Sequence, residues 1–292
     1  MTTSDLAIIV PHYNDVPRLE RMLQALMPQM RPGVELVIGD NASTDDLDGI
    51  RALWPDLRIV TETRRGAAEA RNTAVAATTA PGLAFIDSDC LPADDWVARA
   101  RHVAATAGDR VTGGQVDVFD ETPPPRSGAE AFETVFAFDF KTYIEKKGFT
   151  GAGNMVTTRR VFDDTGPFVA GLSEDLDWST RAVAAGYPLT YDPDLVVAHP
   201  TRQDWEALRR KWMRLTEESW GLKARDGHHG LPARLGWTLR ALIGLPASIP
   251  AHLPRILRHA SLSPAEKRAA ALTLIRLRLL RVKWMLAQVL HR

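Results

Sequence analysis

The stretch LAFIDSDCLPADDWV, residues 83–97, runs from an apolar segment into a group of acidic residues. A short apolar run that ends in a polar turn is typical of a buried β-strand. Asp87 and Asp89 follow this run one residue apart, and two carboxylates so close repel each other unless a positive charge lies beside them. Carboxylate oxygens select hard divalent cations such as Mg²⁺ or Mn²⁺. The stretch therefore predicts a strand whose C-terminal end carries a candidate metal site.

Apolar strands alternate with amphipathic or Ala-rich helical segments on the N-terminal side of this stretch. The other predicted strands are LAIIV (6–10), VELVIGD (34–40) and LRIVTE (57–62). Alternation of this kind predicts an α/β fold with a Rossmann-like, mostly parallel sheet and helices on both faces. Ligands of such sheets bind beyond the carboxyl ends of the strands. Those ends carry three polar clusters, Pro11–Asn14, Asp40–Asp45 and Asp87–Asp89.

Composition favours a folded protein of the reducing cytoplasm. The chain has 292 residues, 45% of them hydrophobic, and its one cysteine, Cys90, excludes an intrachain disulfide. The first residues, MTTSDLAIIVP, are read as the first strand and not as a signal peptide. No apolar run approaches the roughly 20 residues of a membrane-spanning helix. We therefore expect a cytoplasmic location, with peripheral contact at the inner face of the cell membrane as a further option.

The net charge of zero conceals two oppositely charged regions. Residues 226–292 hold 11 Lys and Arg residues but only two acids, so the rest of the chain carries an excess of acids. This division predicts an α/β domain over 1–225 and a basic helical C-terminal extension over 226–292. Because the α/β domain is acidic, nucleic acid is not an expected partner.

The last helix of the extension is predicted to begin at Ser263, with Glu266 completing a capping box. On a helical wheel it shows one apolar stripe formed by Leu272, Ile275, Leu279, Val282, Leu286 and Val289. A narrower second stripe is formed by Leu277, Leu280 and Trp284. A helix that is apolar on two sides needs two partners. Three arrangements stay open: burial within a helical subdomain, contact with a membrane surface, or contact with a second subunit in a homo-oligomer.

Six short motifs occur in one order along the chain. They are VPHYN (10–14), GDNASTDD (39–46), RRGAAEARN (64–72), FIDSDC (85–90), GAGNM (151–155) and SEDLDW (173–178). In this order and spacing the chain resembles the family 2 glycosyltransferases of the GT-A fold over roughly residues 5–220. It departs from the processive branch of that family, because no QxxRW signature is present and RKWMR stands at 210–214.

The resemblance implies a role for each residue that matches a family motif. The implied nucleotide site consists of Pro11, Tyr13, Asn14, Asp40, Arg71 and Asp87. The implied donor and acceptor pocket consists of Ser88, Gly153, Asn154 and Glu174. The implied metal ligands are Asp89 and His199, and the implied catalytic base is Asp175.

The activity that the resemblance implies is an inverting, metal-dependent transfer of a sugar from a nucleotide sugar, most naturally a uridine diphosphate sugar. The acceptor would be a hydroxyl group of a glycan or a lipid-linked glycan, in cell-surface polysaccharide or glycolipid synthesis, with Mn²⁺ or Mg²⁺ as cofactor. One alternative is a catalytically silent glycosyltransferase-like module that binds a nucleotide sugar or a protein partner. A nucleotidyltransferase ranks last, because PHYNDVPR (11–18) replaces the Gly-rich loop of those enzymes.

Simpler structural explanations exist for several of these residues. The polar cluster Asp40–Asp45 could cap the following helix, and His199 could be an ordinary strand-end histidine. Asp177 and Arg181 are expected to form a surface ion pair, and Cys90 to be a small buried side chain. The Phe-rich segment 132–140 is expected in a core. The bases of the helix over 205–220 are expected in solvent, namely Arg209, Arg210, Lys211 and Arg214.

Overall fold

The computed structural model describes residues 4–171, 173–225 and 230–290. The chain forms two compact units, one made of Met1–Asp117 and Asp139–His199 and the other of Val118–Phe138 and Pro200–Arg292. The predicted domain boundary at residue 225 stays a prediction. The helices on either side of that residue both belong to the second unit.

The first unit is built on an eight-stranded sheet with the strand order β3-β2-β1-β4-β7-β6-β8-β5. The strands are β1 (Leu6–His12), β2 (Val34–Asp40), β3 (Arg58–Thr61), β4 (Gly82–Ile86), β5 (Leu91–Pro92), β6 (Val111–Phe119), β7 (Asn154–Thr158) and β8 (Leu189–Pro200). The pairs β1–β2, β1–β4 and β2–β3 are parallel, as the alternation of elements predicts. The pairs β4–β7, β6–β7 and β5–β8 are antiparallel, so the sheet as a whole is mixed.

Helices cover this sheet because its central strands are apolar on both faces. Every residue of β1 is buried, which a strand covered on both faces requires. The helices are α1 (Val16–Leu26), α2 (Asp48–Leu53), α3 (Ala67–Ala76), α4 (Trp96–Thr106), α6 (Phe140–Lys147), α7 (Arg159–Thr165) and α8 (Glu174–Ala184). On one face, Phe85, Phe162 and Trp178 pack into a single core cluster. The four predicted N-terminal strands and the α/β class are confirmed.

The Ala-rich helix α3 lies very close to the sheet, and Gly39 of β2 makes this approach possible. A Cβ atom at Gly39 would lie 2.2 Å from the carbonyl oxygen of Ala70, which no packing adjustment could accommodate. This close approach places α3 against the C-terminal ends of β1 and β2. Arg71, one residue further along α3, is thereby held beneath the loops that leave the sheet.

The second unit is helical and has two apolar clusters. Its helices are α5 (Gly128–Phe136), α9 (Trp205–Arg225), α10 (Leu231–Leu239), α11 (Leu245–Arg258) and α12 (Pro264–Leu290), with one π-helical turn (Arg240–Gly244) between α10 and α11. One cluster joins Phe132, Leu208 and Leu277, and the other joins Trp237 and Met285 to their neighbours. The expected core position of the Phe-rich segment is confirmed for Phe132. Among the described residues, no helix combines the length and the apolar character needed to cross a membrane.

Helix α12 begins with the predicted capping box but buries a different face from the predicted one. Glu266 accepts a hydrogen bond from the backbone N–H of Ser263 at 2.8 Å, and the Ser263 hydroxyl accepts one from Glu266 N–H at 3.3 Å. Leu272 and Leu279 of the wider predicted stripe are exposed, while Leu274 and Leu277, the latter from the narrower predicted stripe, are buried. The wider predicted stripe is therefore wrong over this part of the helix.

Close helix packing explains which face of α12 is buried. A Cβ atom at Gly128 of α5 would lie 2.6 Å from the Thr273 hydroxyl, so the two helices meet where small residues allow it. This contact turns Arg278 and Arg281 inward with the apolar residues. Their guanidinium groups lie over the ring of Trp212, at 5.8 and 4.6 Å from its centroid.

Two further expectations about charged side chains are wrong. Lys211 is largely buried instead of solvated, because its ammonium group pairs with the buried Glu133 carboxylate at 2.5 Å. Burial lowers the pKa of Lys211 to about 8, although Glu133 opposes that change. Asp177 forms the expected ion pair with Arg181 at 2.9 Å, but its carboxylate is buried instead of lying on the surface, and the Arg181 guanidinium also donates to the carbonyl oxygen of Thr165. Arg210 and Arg214 are exposed, as expected.

Candidate active site

The loops after β1 and β2 are locked together by polar side chains at the carboxyl edge of the sheet. His12 Nδ1 lies 3.0 Å from Asp40 Oδ1, and the Ser43 hydroxyl donates to the same oxygen at 2.6 Å. Asn14 has a positive φ of 47°, and its side-chain oxygen accepts a hydrogen bond from Thr44 N–H at 2.7 Å. These bonds join the first two predicted polar clusters into one surface.

Within this surface the predicted nucleotide-binding residues differ in exposure. Pro11 is buried in β1, and the Asp40 carboxylate is only slightly exposed because His12 and Ser43 already bind it. Tyr13 is 50% exposed and presents its ring to solvent. The side chain of Tyr13 is therefore the part of this cluster that is free to meet a planar ligand.

The polar residues after β2 do not cap the next helix. The N-cap residue of α2, Leu47, makes no side-chain capping bond, and the first N–H of the helix, that of Asp48, donates to the side chain of Asp46 at 2.8 Å. Asn41 instead donates to the carbonyl oxygens of Glu62 and Arg64, at 3.1 and 2.6 Å, and accepts a hydrogen bond from Gly66 N–H at 2.8 Å. Asn41 thus fixes the loop that leads into α3, and the capping explanation for this cluster is wrong.

Arg71 is the buried positive charge that the paired acids require. Its Nη2 donates to Asp87 Oδ1 at 2.6 Å, and its Nη1 donates to Glu174 Oε1 at 2.5 Å. Burial alone would lower the pKa of Arg71, but Asp87, Asp175 and Glu174 outweigh burial and raise it. The guanidinium is therefore permanently charged and brings two motifs that lie 87 residues apart into one cluster.

Asp175 lies next to this cluster in the first turn of α8. Its Oδ1 atom is enclosed and has no hydrogen-bond partner within the described part of the chain. Burial raises the pKa of Asp175 to about 6, a change that Arg71 opposes and that Glu174 and Asp87 increase. The predicted N-cap position of Ser173 is confirmed, although its side chain makes no capping bond. A carboxylate with a pKa near 6 can accept a proton at neutral pH.

The second acid of the pair, Asp89, is not bound by any arginine in the described residues. Its Oδ2 lies 3.3 Å from Nε2 of His199, at the end of β8. Oxygen or sulfur atoms of Asp87, Asp89 and Cys90 all lie within 4.8 Å of one another. Burial, followed by the charges of Asp89 and Asp87, raises the pKa of the Cys90 thiol, so the sulfur stays protonated and the expected structural role is supported. The donor set that remains, carboxylate oxygens and one imidazole nitrogen, suits Mn²⁺ or Mg²⁺.

Gly153 and Asn154 shape the floor of the cluster in different ways. A Cβ atom at Gly153 would lie 2.6 Å from Asp87 Oδ2, so only glycine leaves room for that carboxylate. The Asn154 side chain is fully buried; it accepts a hydrogen bond from Trp96 Nε1 at 2.9 Å and donates to Leu195 O at 2.8 Å. The Asn154 side chain is therefore not available to contact a donor or acceptor, and it can shape the predicted pocket only by fixing the backbone around it.

We expect the Arg71→Met substitution to destabilise the protein. Asp87 and Glu174 would keep their partly buried carboxylates without a counter-charge, and breaking such a pair costs about 3 kcal/mol. Chemical denaturation at pH 7.5 measures the free energy of unfolding. Arg65→Met, which removes the same charge from an exposed position, serves as the control. Equal stability of the Arg71→Met variant and the unaltered protein would show that the bridge does not hold the cluster together.

Comparison with known proteins gives one consistent family. The sequence model of Glycosyl transferase family 2 matches residues 7–178. The glycosyltransferase AglE of Haloferax volcanii is 29% identical over 216 residues, which make up 71% of this chain and 70% of AglE. The pre-mycofactocin glycosyltransferase of Mycobacterium tuberculosis is 24% identical over 224 residues, which make up 70% of this chain and 45% of that protein.

Two solved structures share the fold. The mannosyltransferase PcManGT of Pyrobaculum calidifontis, solved with GDP-Man and Mn²⁺, has a TM-score of 0.61 at 23% identity, over 98% of this chain and 86% of its own. GalNAc-T7, solved with UDP, GalNAc and Mn²⁺, has a TM-score of 0.52 at 20% identity, over 69% of this chain and 45% of its own. These similarities confirm the predicted GT-A fold. Because the family match spans more than half of the sequence, the chain belongs to glycosyltransferase family 2.

Proposed function

We propose that this protein is an inverting, metal-dependent glycosyltransferase that uses a uridine diphosphate sugar. The observation that carries the proposal is the Arg71 bridge between Asp87 and Glu174, which holds Asp175 beside the paired acids. Inverting transfer needs a base on the acceptor side of the sugar and charge stabilisation on the leaving-group side. The cluster contains residues suited to both tasks.

In the proposed reaction, Asp175 removes the proton from the acceptor hydroxyl as its oxygen attacks the anomeric carbon. The new glycosidic C–O bond forms while the bond from that carbon to the diphosphate oxygen breaks. The proton stays on Asp175, and the negative charge leaves with the nucleoside diphosphate. Because attack and departure occur on opposite sides of the anomeric carbon, the product has the inverted configuration.

Asp89 and His199 are the residues that would hold the divalent ion. Such an ion would neutralise the charge of the departing diphosphate. Asp87, held by Arg71, is left to face the ribose side of the donor, and Tyr13 offers an exposed ring to the base. The proposed acceptor is a hydroxyl group of a glycan or a lipid-linked glycan. Succinoglycan biosynthesis protein ExoO of Rhizobium meliloti, 29% identical over 117 residues, is named for polysaccharide synthesis and supports this class of acceptor.

A thermal-shift screen with and without Mn²⁺ tests the donor. Sugars linked to UDP and to GDP should be compared, because the two solved structures hold different nucleotides. We expect a UDP-sugar with Mn²⁺ to raise the melting temperature, since a ligand at 100 times its Kd stabilises the folded state by about 2.7 kcal/mol. A larger shift with GDP-sugars would overturn the choice of base.

The configuration of the product tests the inversion. NMR of the new glycosidic linkage should show the anomeric configuration opposite to that of the donor. Retention of configuration would contradict the proposed role of Asp175 as a base. Donor binding without transfer to any hydroxyl acceptor would favour the alternative of a catalytically silent binding module.

A further inference from the structure

The second unit exposes a long apolar face on the helical rod formed by α10, the π-helical turn and α11. Residues 231–258 continue as one helix, because Arg240 and Gly244 keep helical backbone angles where these segments meet. At about 1.5 Å per residue the rod is about 42 Å long along its helical path, and Pro250 and Pro254 lie inside its second half. Its inner face, with Trp237, Ala241 and Leu245, packs into the unit.

The outer face of the rod is aliphatic. Six of its large side chains are between 53% and 70% exposed, namely Leu231, Leu235, Leu239, Leu242, Ile243 and Leu257. The spacing of the first four places them on one stripe of the helix. Single exposed leucines are normal on a protein surface, but an aliphatic stripe of this length indicates an interaction site.

The charge around this stripe indicates what covers it. Residues 230–290 contain ten Lys and Arg residues, of which Arg278 and Arg281 are buried, and one acid, Glu266. Glu266 is buried in its capping box, so it neutralises none of the surface. Arg240, Arg255 and Arg258 are exposed on the rod itself, although Arg240 also lies over the Trp237 ring and Arg255 over the Phe136 ring. Two copies of so basic a surface would repel each other, whereas an anionic surface would attract it.

We propose that the α10–α11 rod lies in the plane of an anionic phospholipid bilayer, with its aliphatic stripe between the acyl chains. A helix of this length with one face in a protein core cannot cross a bilayer, but it can rest in the interface. Its arginines reach lipid phosphates from the flanks of the stripe. This surface differs from the α12 stripe that the sequence favours, and it requires nothing of the sugar-transfer activity.

Vesicle flotation of the full-length protein tests the proposal. One set of vesicles contains phosphatidylcholine and phosphatidylglycerol in a ratio of about 7 to 3, and the other contains phosphatidylcholine alone. Since about 1 kcal/mol is gained per basic residue near an anionic surface, we expect the partition coefficient to be at least about 10-fold higher with phosphatidylglycerol. Raising the salt concentration should reduce that difference. Absence of the protein from both vesicle fractions would overturn the proposal.

The variant Leu239→Glu/Leu242→Glu separates the stripe from general basicity. We expect it to lose at least about 10-fold in partitioning, because each change removes an apolar side chain and adds a repelled charge. The control variant, Leu53→Glu/Val183→Glu, adds the same charge at exposed positions of the first unit. Both variants should melt close to the unaltered protein, since all four positions are solvent-facing.

Two results would refute the assignment to a bilayer. The first is equal vesicle binding by the stripe variant and the control variant. The second is that the unaltered protein does not bind vesicles but forms a concentration-dependent dimer, measured by light scattering. The stripe variant, and not the control variant, would then fail to form that dimer. That result would assign the stripe to a second copy of the chain. Neither measurement involves a sugar donor, so the outcome is independent of the proposed reaction.

Discussion

The Asp175→Asn variant should lose sugar transfer by about 10³-fold in kcat while it still binds the nucleotide-sugar donor. General-base catalysis contributes about 10²- to 10⁴-fold, and asparagine cannot take a proton from the acceptor hydroxyl. Donor binding should persist, because Asp87 is the acid proposed to contact the nucleotide. The hydrogen bond from Arg71 to Asp87 does not involve Asp175. Initial rates at saturating donor and acceptor, together with a donor titration, measure the two effects separately.

A neighbouring acid supplies the matched control for this variant. Asp177 lies two residues further along α8 and pairs with Arg181, away from the Arg71 cluster. Asp177→Asn should keep its rate within a few-fold of the unaltered protein at a temperature where both are folded. If both variants were equally slow, the loss would reflect damage to α8 and not the absence of a base.

The pH profile of the unaltered enzyme should follow the same carboxyl group. With a pKa of about 6, Asp175 is mostly ionised at pH 7.5 and mostly protonated at pH 5. The rate should therefore fall about tenfold per pH unit below about pH 6, because only the ionised form accepts a proton. A flat rate between pH 5 and pH 7.5 would be incompatible with this assignment.

The Asp175→Asn variant should be more stable than the unaltered protein at alkaline pH. The pKa of Asp175 is raised in the folded state from 3.8 to about 6, so the stabilisation belongs to the protonated form. That stabilisation is complete below about pH 4 and is lost as the pH rises through about 6. Since the residue keeps some contact with solvent, we expect the ionised form to cost about 2 kcal/mol. The melting temperature of Asp175→Asn should exceed that of the unaltered protein at pH 8 and match it at pH 4.

The parallel part of the fold could be predicted from the sequence because its signals are local. Each parallel strand is an apolar run bounded by Pro, Gly or Asp, and the polar clusters follow these runs directly. The antiparallel strands lack such boundaries. Strand β6 contains Gly113 and Gly114, and β8 contains Asp192 and Pro193. The sequence indicates strands in these segments but does not show their antiparallel pairing.

The sequence indicated which acids belong to the candidate site but not which residue holds them together in space. The DSD sequence indicates that a positive charge is needed, yet no local signal shows that Arg71 of α3 supplies it. Helical periodicity alone would place Arg71 on a surface, because the Ala-rich helix has little apolar contrast between its faces. The close approach at Gly39 brings this arginine against the sheet, and the Phe168 ring lies against its guanidinium group.

The interior of the second unit was the least predictable region. A helical wheel ranks faces by hydrophobicity, but α12 is oriented by the space that Gly128 and Thr273 leave between two helices. Arg278 and Arg281 lie inside because their long side chains cover the Trp212 ring. Shape complementarity between distant segments decides such positions, and one sequence does not display it.

The Asp89→Ala variant should lose the effect of Mn²⁺ on both stability and rate. Asp87 is held by Arg71 and confined by Gly153, so Asp89 is the acid of the pair that keeps its oxygens available to a cation. Charge stabilisation by a bound metal contributes several kcal/mol, so we expect transfer to fall by about 10³-fold. The rise in melting temperature that Mn²⁺ produces with the nucleotide sugar should disappear as well.

Asp94→Ala provides a control with the same loss of charge on the other side of the short strand β5. Asp94 is exposed, five residues beyond Asp89, and should leave the response to Mn²⁺ unchanged. The comparison between the two variants separates direct coordination of Mn²⁺ by Asp89 from a general effect of lost negative charge. A general effect would weaken Mn²⁺ binding in both variants. A Mn²⁺ response that survives in Asp89→Ala but vanishes in Asp87→Ala would exchange the roles of the two acids. Because Arg71 already occupies Asp87 Oδ1, that exchange would require the bridge to Glu174 to open whenever a donor binds.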